Sequence, residues 1–211
     1  MIIAFDGTAS SGKSTIAKRV ANILNLPYIN TGEIYRSITA YFIVKNILPN
    51  DINETILKDI NINLLFEGNN CIVKINGDRY DAITRSKEVD DIVSEFSKID
   101  LIRKFVRNIQ KNIDKENFVI EGRDITSVVF PEAEYKFYID ADINERAKRR
   151  YCQHNNNQTL EEIKKSLENR DLQDKQRKYS PLILTDNTRY IDTTVDTIDE
   201  SVNKIIKFIK E

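Results

Sequence analysis

Residues 1–20 read MIIAFDGTASSGKSTIAKRV: an apolar run stopped by Asp6-Gly7, then Ile16, Val20, Ile23 and Leu24 at helical spacing. A short continuous apolar run that ends in a turn signal predicts a strand buried in a parallel sheet. Between strand and helix, Gly7-Thr8-Ala9-Ser10-Ser11-Gly12-Lys13-Ser14 fits G-x-x-x-x-G-K-[ST]. In that setting the loop and helix N-terminus present backbone N–H groups to phosphates, and glycines let the backbone approach them closely. Lys13 would neutralise charge on the β- and γ-phosphates, and Ser14 would ligate Mg²⁺. The stretch from Gly7 to Thr15 therefore predicts an ATP site of the P-loop type.

Working outward, the same alternation of strand and helix recurs. Residues 27–29 read as a second strand, and Thr31-Gly32 opens a helix through Tyr35, Ile38, Tyr41 and Phe42. Helical patterns follow at 86–98 and 100–114, the second with Leu101, Ile102, Phe105, Val106, Ile109 and Ile113 as its buried stripe. Residues 118–120, 135–139 and 188–191 read as further strands. Asp142/Glu145, Thr159/Glu162 and Thr197/Glu200 have capping-box spacing and start helices. Between 61 and 81, three short β-type runs are separated by Gly-Asn-Asn and Asn-Gly-Asp, which are hairpin signals. They predict a three-stranded antiparallel insert outside the main sheet. The fold class is thus α/β, an open parallel sheet with helices on both faces and an inserted subdomain.

Bulk properties narrow the function. Basic residues number 32 and acidic residues 33, so no net field is available to hold nucleic acid or a membrane surface. No run approaches a membrane span and no secretory signal pattern opens the chain, which predicts a cytoplasmic location. Cys71 and Cys152 lack metal or disulfide spacing and read as free thiols. His154 lies in the polar run QHNNNQ, expected to be a mobile tip, so chemistry here should not depend on imidazole.

The phosphate acceptor is indicated by arginines. No [NT]KxD tetrapeptide occurs, which disfavours a GTPase. The 118–120 strand ends in Glu121-Gly122-Arg123-Asp124, suited to gripping a substrate phosphate at a strand end. Arg36 follows Thr31-Gly32 in a helix start, and Arg103, Arg107 and Gln110 form a polar stripe. After Thr159 the apolar stripe Leu160, Ile163, Leu167 continues at the same spacing as Arg170, Asp174, Arg177, an inward face that turns charged. A helix leaving the body after Leu167, solvated all round, would show the same pattern. Arg146, Arg149 and Arg150 share a face of the helix after Asp142, where a closing element could meet transition-state charge; an exposed basic face is the alternative.

These stretches together resemble the bacterial cytidylate kinases of the nucleoside monophosphate kinase group. DGTASSGKSTIAK, NTGEIYR, TRSKEV, SEFSKIDLIR, EGRDITSVVFPEAEYKFYIDA, ERAKRRY and NRDLQDKQRKYSPL carry the likeness, in family order over nearly the whole chain. The resemblance implies phosphoryl transfer from ATP to CMP and dCMP with Mg²⁺, in a monomer. It implies that Arg36, Arg123 and Arg177 hold the CMP phosphate, and that Ser94, Arg103 and Asp124 read cytosine. Arg170 and Asp174 would contact the sugar, and Thr31 and Tyr35 would line the acceptor pocket. Lys13, Arg123, Arg146 and Arg150 would be catalytic. It also implies one kinase domain, with a core of about 1–35, 100–145 and 175–211, an acceptor-binding insert of about 36–99 and a lid of about 146–170. Thr8, Asn30 and Glu121 depart from the Pro, Asp and Asp usual in the family, and Thr126-Ser127 stands where Gly-Thr is frequent. A UMP- or shikimate-type acceptor, or a non-catalytic nucleotide-binding module, are the competing readings.

Overall fold

The computed structural model describes residues 1–153 and 158–211. In chain order the elements are β1 (Ile2–Gly7), α1 (Lys13–Ile23), β2 (Tyr28–Asn30), α2 (Thr31–Val44), α3 (Glu54–Lys58), β3 (Ile62–Glu67) and β4 (Asn70–Ile75). Then come α4 (Lys87–Lys98), α5 (Asp100–Lys111), β5 (Phe118–Glu121), β6 (Tyr135–Asp140), α6 (Ile143–Gln153), α7 (Leu160–Gln176), β7 (Arg189–Asp192) and α8 (Ile198–Lys210). The expected helix starts hold. The Thr159 and Thr197 boxes close reciprocally with Glu162 and Glu200. The Asp142 carboxylate accepts from the N–H groups of Asn144 and Glu145.

The chain divides into two compact units, Met1–Tyr28 with Glu116–Glu211, and Ile29–Lys115. In the first, strands pair in parallel in the order β5-β1-β6-β7. Alternation along β1 sorts its side chains between two faces. Ile3 and Phe5 join Val119, Phe137 and the apolar faces of α1 and α8 in one core, with the Phe5 and Phe137 rings stacked at 5.2 Å. Each such fully buried side chain contributes roughly 1.5–3 kcal/mol. Ala4 and Asp6 point the other way, where a single π-helical turn at Ile125–Val129 lies over the sheet. The expected parallel sheet with cover on both faces is what this unit shows.

In the second unit the order is β3-β4-β2, with β3 and β4 antiparallel. Its core gathers Phe42, Ile75, Phe96, Ile102 and Val106. Two expectations are corrected here. The third antiparallel run at 78–81 is not a strand: Asp78 makes only an isolated bridge with Ile75. The positive φ of Asn76 and Gly77 turns the chain back for one pairing, and the Tyr80 carbonyl then accepts from Ile83 and Thr84 in a further turn. The hairpin is also not outside the sheet, since β4 neighbours β2. On α5 the buried face is Ile102, Arg103, Val106 and Gln110, so the polar stripe points inward while Leu101, Phe105 and Ile109 are half-buried.

Candidate active site

The P-loop is built by β1 running into α1. Gly7 has φ +151°, and a Cβ there would lie 2.0 Å from the Ile139 carbonyl oxygen on β6. No other residue fits so close to the neighbouring strand. Gly12 caps α1 at φ +87°. Thr8, in the position where the family usually has proline, donates its N–H to Ile139 O at 3.3 Å and its hydroxyl to Asp140 Oδ1 at 2.5 Å. Ser11 donates to Thr8 O at 3.0 Å, and its own carbonyl accepts from the Thr193 hydroxyl at 2.8 Å. The loop is thereby held on both flanks, while Ser14 and Thr15 are exposed at the start of α1. Ser10, with φ +60°, supplies the one non-glycine left-handed step of the loop.

Lys13 is buried and ion-paired with Glu121, at the end of β5. Burial pushes the Lys13 ammonium down, against the pull of Glu121. Burial works to raise the Glu121 carboxyl, but Lys13 outweighs it and holds the group below its ordinary range. Tyr28 donates its hydroxyl to Glu121 Oε1 at 3.0 Å, and the Ser14 hydroxyl also bonds the carboxylate. Glu121 thus holds the P-loop lysine and the first turn of α1 together. Ser14 offers an exposed hard oxygen beside an ionised carboxylate, a donor set that suits Mg²⁺ brought in with a nucleotide.

Beside the loop lies a guanidinium–carboxylate cluster. Arg123 donates from Nη1 to Gly7 O at 2.7 Å and from Nε to Asp174 Oδ2 at 2.8 Å. Asp174, on α7, also pairs through Oδ1 with Arg177. Burial tends to raise the Asp174 carboxyl, yet Arg123, Arg177 and Arg170 hold it below its ordinary value. Asp124, next to Arg123, is buried and caps the Ile125–Val129 turn. Four of the expected acceptor-side residues, Arg123, Arg170, Asp174 and Arg177, thus belong to one network, and Asp124 follows Arg123 directly in the chain.

The inward stripe of α7 needs correction. Ile163, Leu167, Asp171 and Asp174 are buried, while Leu160 and Arg170 are exposed. From Leu167 the helix carries the buried face four residues on, to Asp171, rather than three. Asp171, missed in the sequence reading, accepts the Ala9 N–H at 3.1 Å and a bond from Arg146 Nη1 at 2.5 Å. Arg146 is itself buried on α6 and donates to Ala9 O and Ala141 O. It braces the P-loop backbone, whereas its sequence signal was only the face it shares with Arg149 and Arg150. Arg149 donates to the hydroxyl and carbonyl of Thr193 and pairs with Glu145; Arg150 is half-buried. His154 and most of the expected tip at 154–158 lie outside the described residues.

In the second unit, Asn30 caps α2 by accepting from Gly32 N at 2.9 Å, so its amide oxygen does what the family's aspartate would. Thr31 is buried, and Tyr35 presents its ring 5.9 Å from the Arg103 guanidinium carbon. Arg103 donates to Ser97 O at 3.1 Å, which ties α5 to the α4 segment that carries Ser94. Arg36 donates to Thr84 O at 2.8 Å and to Asp90 Oδ1 at 2.5 Å. The expected acceptor residues therefore form two groups, each assembled within its own unit.

The chain is similar to known proteins over nearly its whole length. A family model described as cytidylate kinase matches residues 3–211. A cytidylate kinase of Borreliella burgdorferi strain ZS7 is 40% identical, covering 98% of this chain and 96% of its own length. One from Clostridium botulinum strain Langeland is also 40% identical, covering 99% and 97%. Among solved structures, a shikimate kinase from Bacteroides thetaiotaomicron superposes with a TM-score of 0.54 at 11% identity, covering 100% of this chain and 99% of its own, and shares the fold. With its P-loop, its Gly122-Arg123-Asp124 strand end and its full-length match, the chain belongs to the cytidylate kinase family.

Proposed function

We propose that the chain transfers the γ-phosphoryl group of ATP to CMP, and to dCMP, by direct in-line attack of the acceptor phosphate. The observation that carries this reading is the Arg123–Asp174–Arg177 network on the P-loop itself, with Arg123 bonded to Gly7 O. An acceptor phosphate oxygen is already a nucleophile, so positioning and charge neutralisation suffice and no strong base is required. Lys13 would leave Glu121 for the β- and γ-phosphates, and Ser14 would help hold Mg²⁺, which would supply neutralisation of phosphate charge. Arg123, Arg177 and Arg36 would hold the acceptor phosphate. Arg146 would act through the loop backbone at Ala9, and Arg150, one turn on, would face the transferring group.

Ser94, Arg103 and Asp124 would read the base. Cytosine shows an amine donor beside N3 and O2 acceptors, which a carboxylate and an arginine complement. Uracil would set a carbonyl against Asp124, acceptor to acceptor. Arg170 and Asp174 would meet the sugar, and Thr31 and Tyr35 the pocket wall. The balanced charge and the absence, among the described residues, of a helix able to cross a membrane fit a small-molecule enzyme working as a monomer in the cytoplasm. A coupled assay with CMP, dCMP, UMP and AMP tests the reading. CMP should exceed UMP at least tenfold in kcat/KM, and equal turnover of AMP would overturn it.

A further inference from the structure

Three consecutive residues at the end of β1 each accept from the loop that follows β5. Phe5 O accepts from Gly122 N at 2.9 Å, and Gly7 O accepts from Arg123 Nη1 at 2.7 Å. Between them, Asp6 Oδ1 accepts from Ile125 N at 2.9 Å, while Oδ2 accepts from both Thr126 N and Thr126 Oγ1 at 2.7 Å. Two of the three attachments use main-chain carbonyls, which any residue supplies. Asp6 is the one made by a side chain, and it is fully buried.

A buried carboxylate whose hydrogen-bond donors are all neutral is costly to keep ionised. Its three bonds all go to the two residues immediately after Arg123-Asp124, and its own residue immediately precedes the P-loop glycine. We propose that Asp6 is a positioning residue for phosphoryl transfer, fixing Arg123 and Asp124 against the first residue of the P-loop. The inference rests on reading Arg123 and Asp124 as acceptor-side groups. An amide at this position has one acceptor where the carboxylate has two, and it would point an N–H₂ at the Thr126 donors. The 125–129 turn would then shift, carrying Asp124 at its start, while the P-loop keeps its separate ties through Thr8, Ala9 and Ser11.

The ionisation state bears on the same geometry. Burial raises the Asp6 carboxyl to about 6, with the Asp124 charge adding to the rise. The charged or titratable groups facing it are Asp124 on the loop, Lys13 on α1 and Tyr138 on β6. Protonation would replace one acceptor by an O–H in a site lined by donors.

Steady-state kinetics on the full chain test this, each substrate varied with the other saturating. Asp6→Asn should raise the KM for CMP about thirtyfold and leave that for ATP within threefold. Thr126→Val, which keeps the N–H and drops the hydroxyl, should raise the KM for CMP about fivefold; Thr126→Ser should restore it. This pair carries the test should Asp6→Asn not fold. Between pH 7 and 5.5, wild-type kcat/KM for CMP should fall more steeply than that of Asp6→Asn. The phosphate of CMP titrates in both, so the difference is the readout. Equal rises in both KM values, a Thr126→Val enzyme like wild type, or identical pH profiles would each overturn the proposal. Asp124→Asn is the reference: unchanged CMP-over-UMP discrimination there removes the acceptor reading and the proposal with it. Changed discrimination there, with an unaltered Asp6→Asn enzyme, overturns the Asp6 role alone.

Discussion

Two carboxylates in the same unit are buried almost equally, Asp6 at 0% and Asp174 at 2% exposure, and their chemistry diverges. Asp6 sits among backbone N–H groups and a hydroxyl, and its carboxyl is pushed up to about 6 by burial. Asp174 suffers the same desolvation, but Arg123, Arg177 and Arg170 overcome it and hold the carboxyl low. Burial alone therefore does not set the charge state; the charge of the partners does. The Asp174 corner is an ion network that holds Arg123 and Arg177 in place. The Asp6 corner is a neutral-donor clamp in which burial favours the protonated carboxyl.

Removing Arg123 should break the first corner most severely. Arg123→Ala is expected to lower kcat/KM for CMP about 10³-fold, equivalent to about 4 kcal/mol of transition-state stabilisation. A loss under tenfold in steady-state kinetics, with unchanged circular dichroism, would place the phosphate clamp elsewhere. Arg123→Lys should recover little, because an ammonium cannot bond Gly7 O and Asp174 with one rigid fork.

Asp174→Asn tests the same corner from the carboxylate side. It leaves the half-buried Arg123 without its hydrogen-bonded carboxylate, and urea denaturation should show about 2 kcal/mol of lost stability. The contribution of Asp174 in wild type is present above the unfolded carboxyl value and is lost as pH falls through its depressed folded value. Asp6 has the opposite sign. Its folded value, about 6, lies above the ordinary aspartate value of 3.8, so the native state holds the proton more tightly and stability falls as pH rises through that window. Relative to Asp6→Asn, wild type should therefore gain up to about 3 kcal/mol between pH 7 and pH 4. A difference that is flat with pH would mean that the buried carboxyl titrates normally.

What could be read from residues alone follows the same division between local and distant causes. The P-loop, the strand–helix alternation and the capped starts of α6, α7 and α8 depend on neighbours within a few residues, and all were legible. The phase of α7 was not. After Leu167, both Arg170 and Asp171 satisfy helical spacing, and only packing on Ala9 and Arg146 selects Asp171. Arg103 and Gln110 were read as a polar stripe, and their burial on α5 depends on packing supplied by other elements. Asp6-Gly7 read as a turn signal; the groups that give Asp6 its meaning lie 119 and 120 positions further along the chain. The run at 78–81 has strand composition, but the turn at Tyr80 uses the carbonyl a strand would need.

The smallest effect comes from a third carboxylate, and it marks where the comparison stops mattering. Asp140 accepts from the Thr8 hydroxyl at 2.5 Å and from Ala141 N at 2.8 Å, with its side chain 23% exposed. Partial exposure lets water replace a lost donor, and the Arg146 guanidinium stays 3.9 Å away, so this carboxylate does not depend on any one neutral donor. Thr8→Val removes one bond and keeps the backbone N–H that meets Ile139 O. The expected cost is about 1 kcal/mol in urea denaturation, with kcat and both KM values within twofold of wild type. A tenfold fall in kcat would show instead that the Thr8 hydroxyl sets the P-loop conformation used in catalysis, and that the family's proline is replaced here by a hydrogen bond of equal importance.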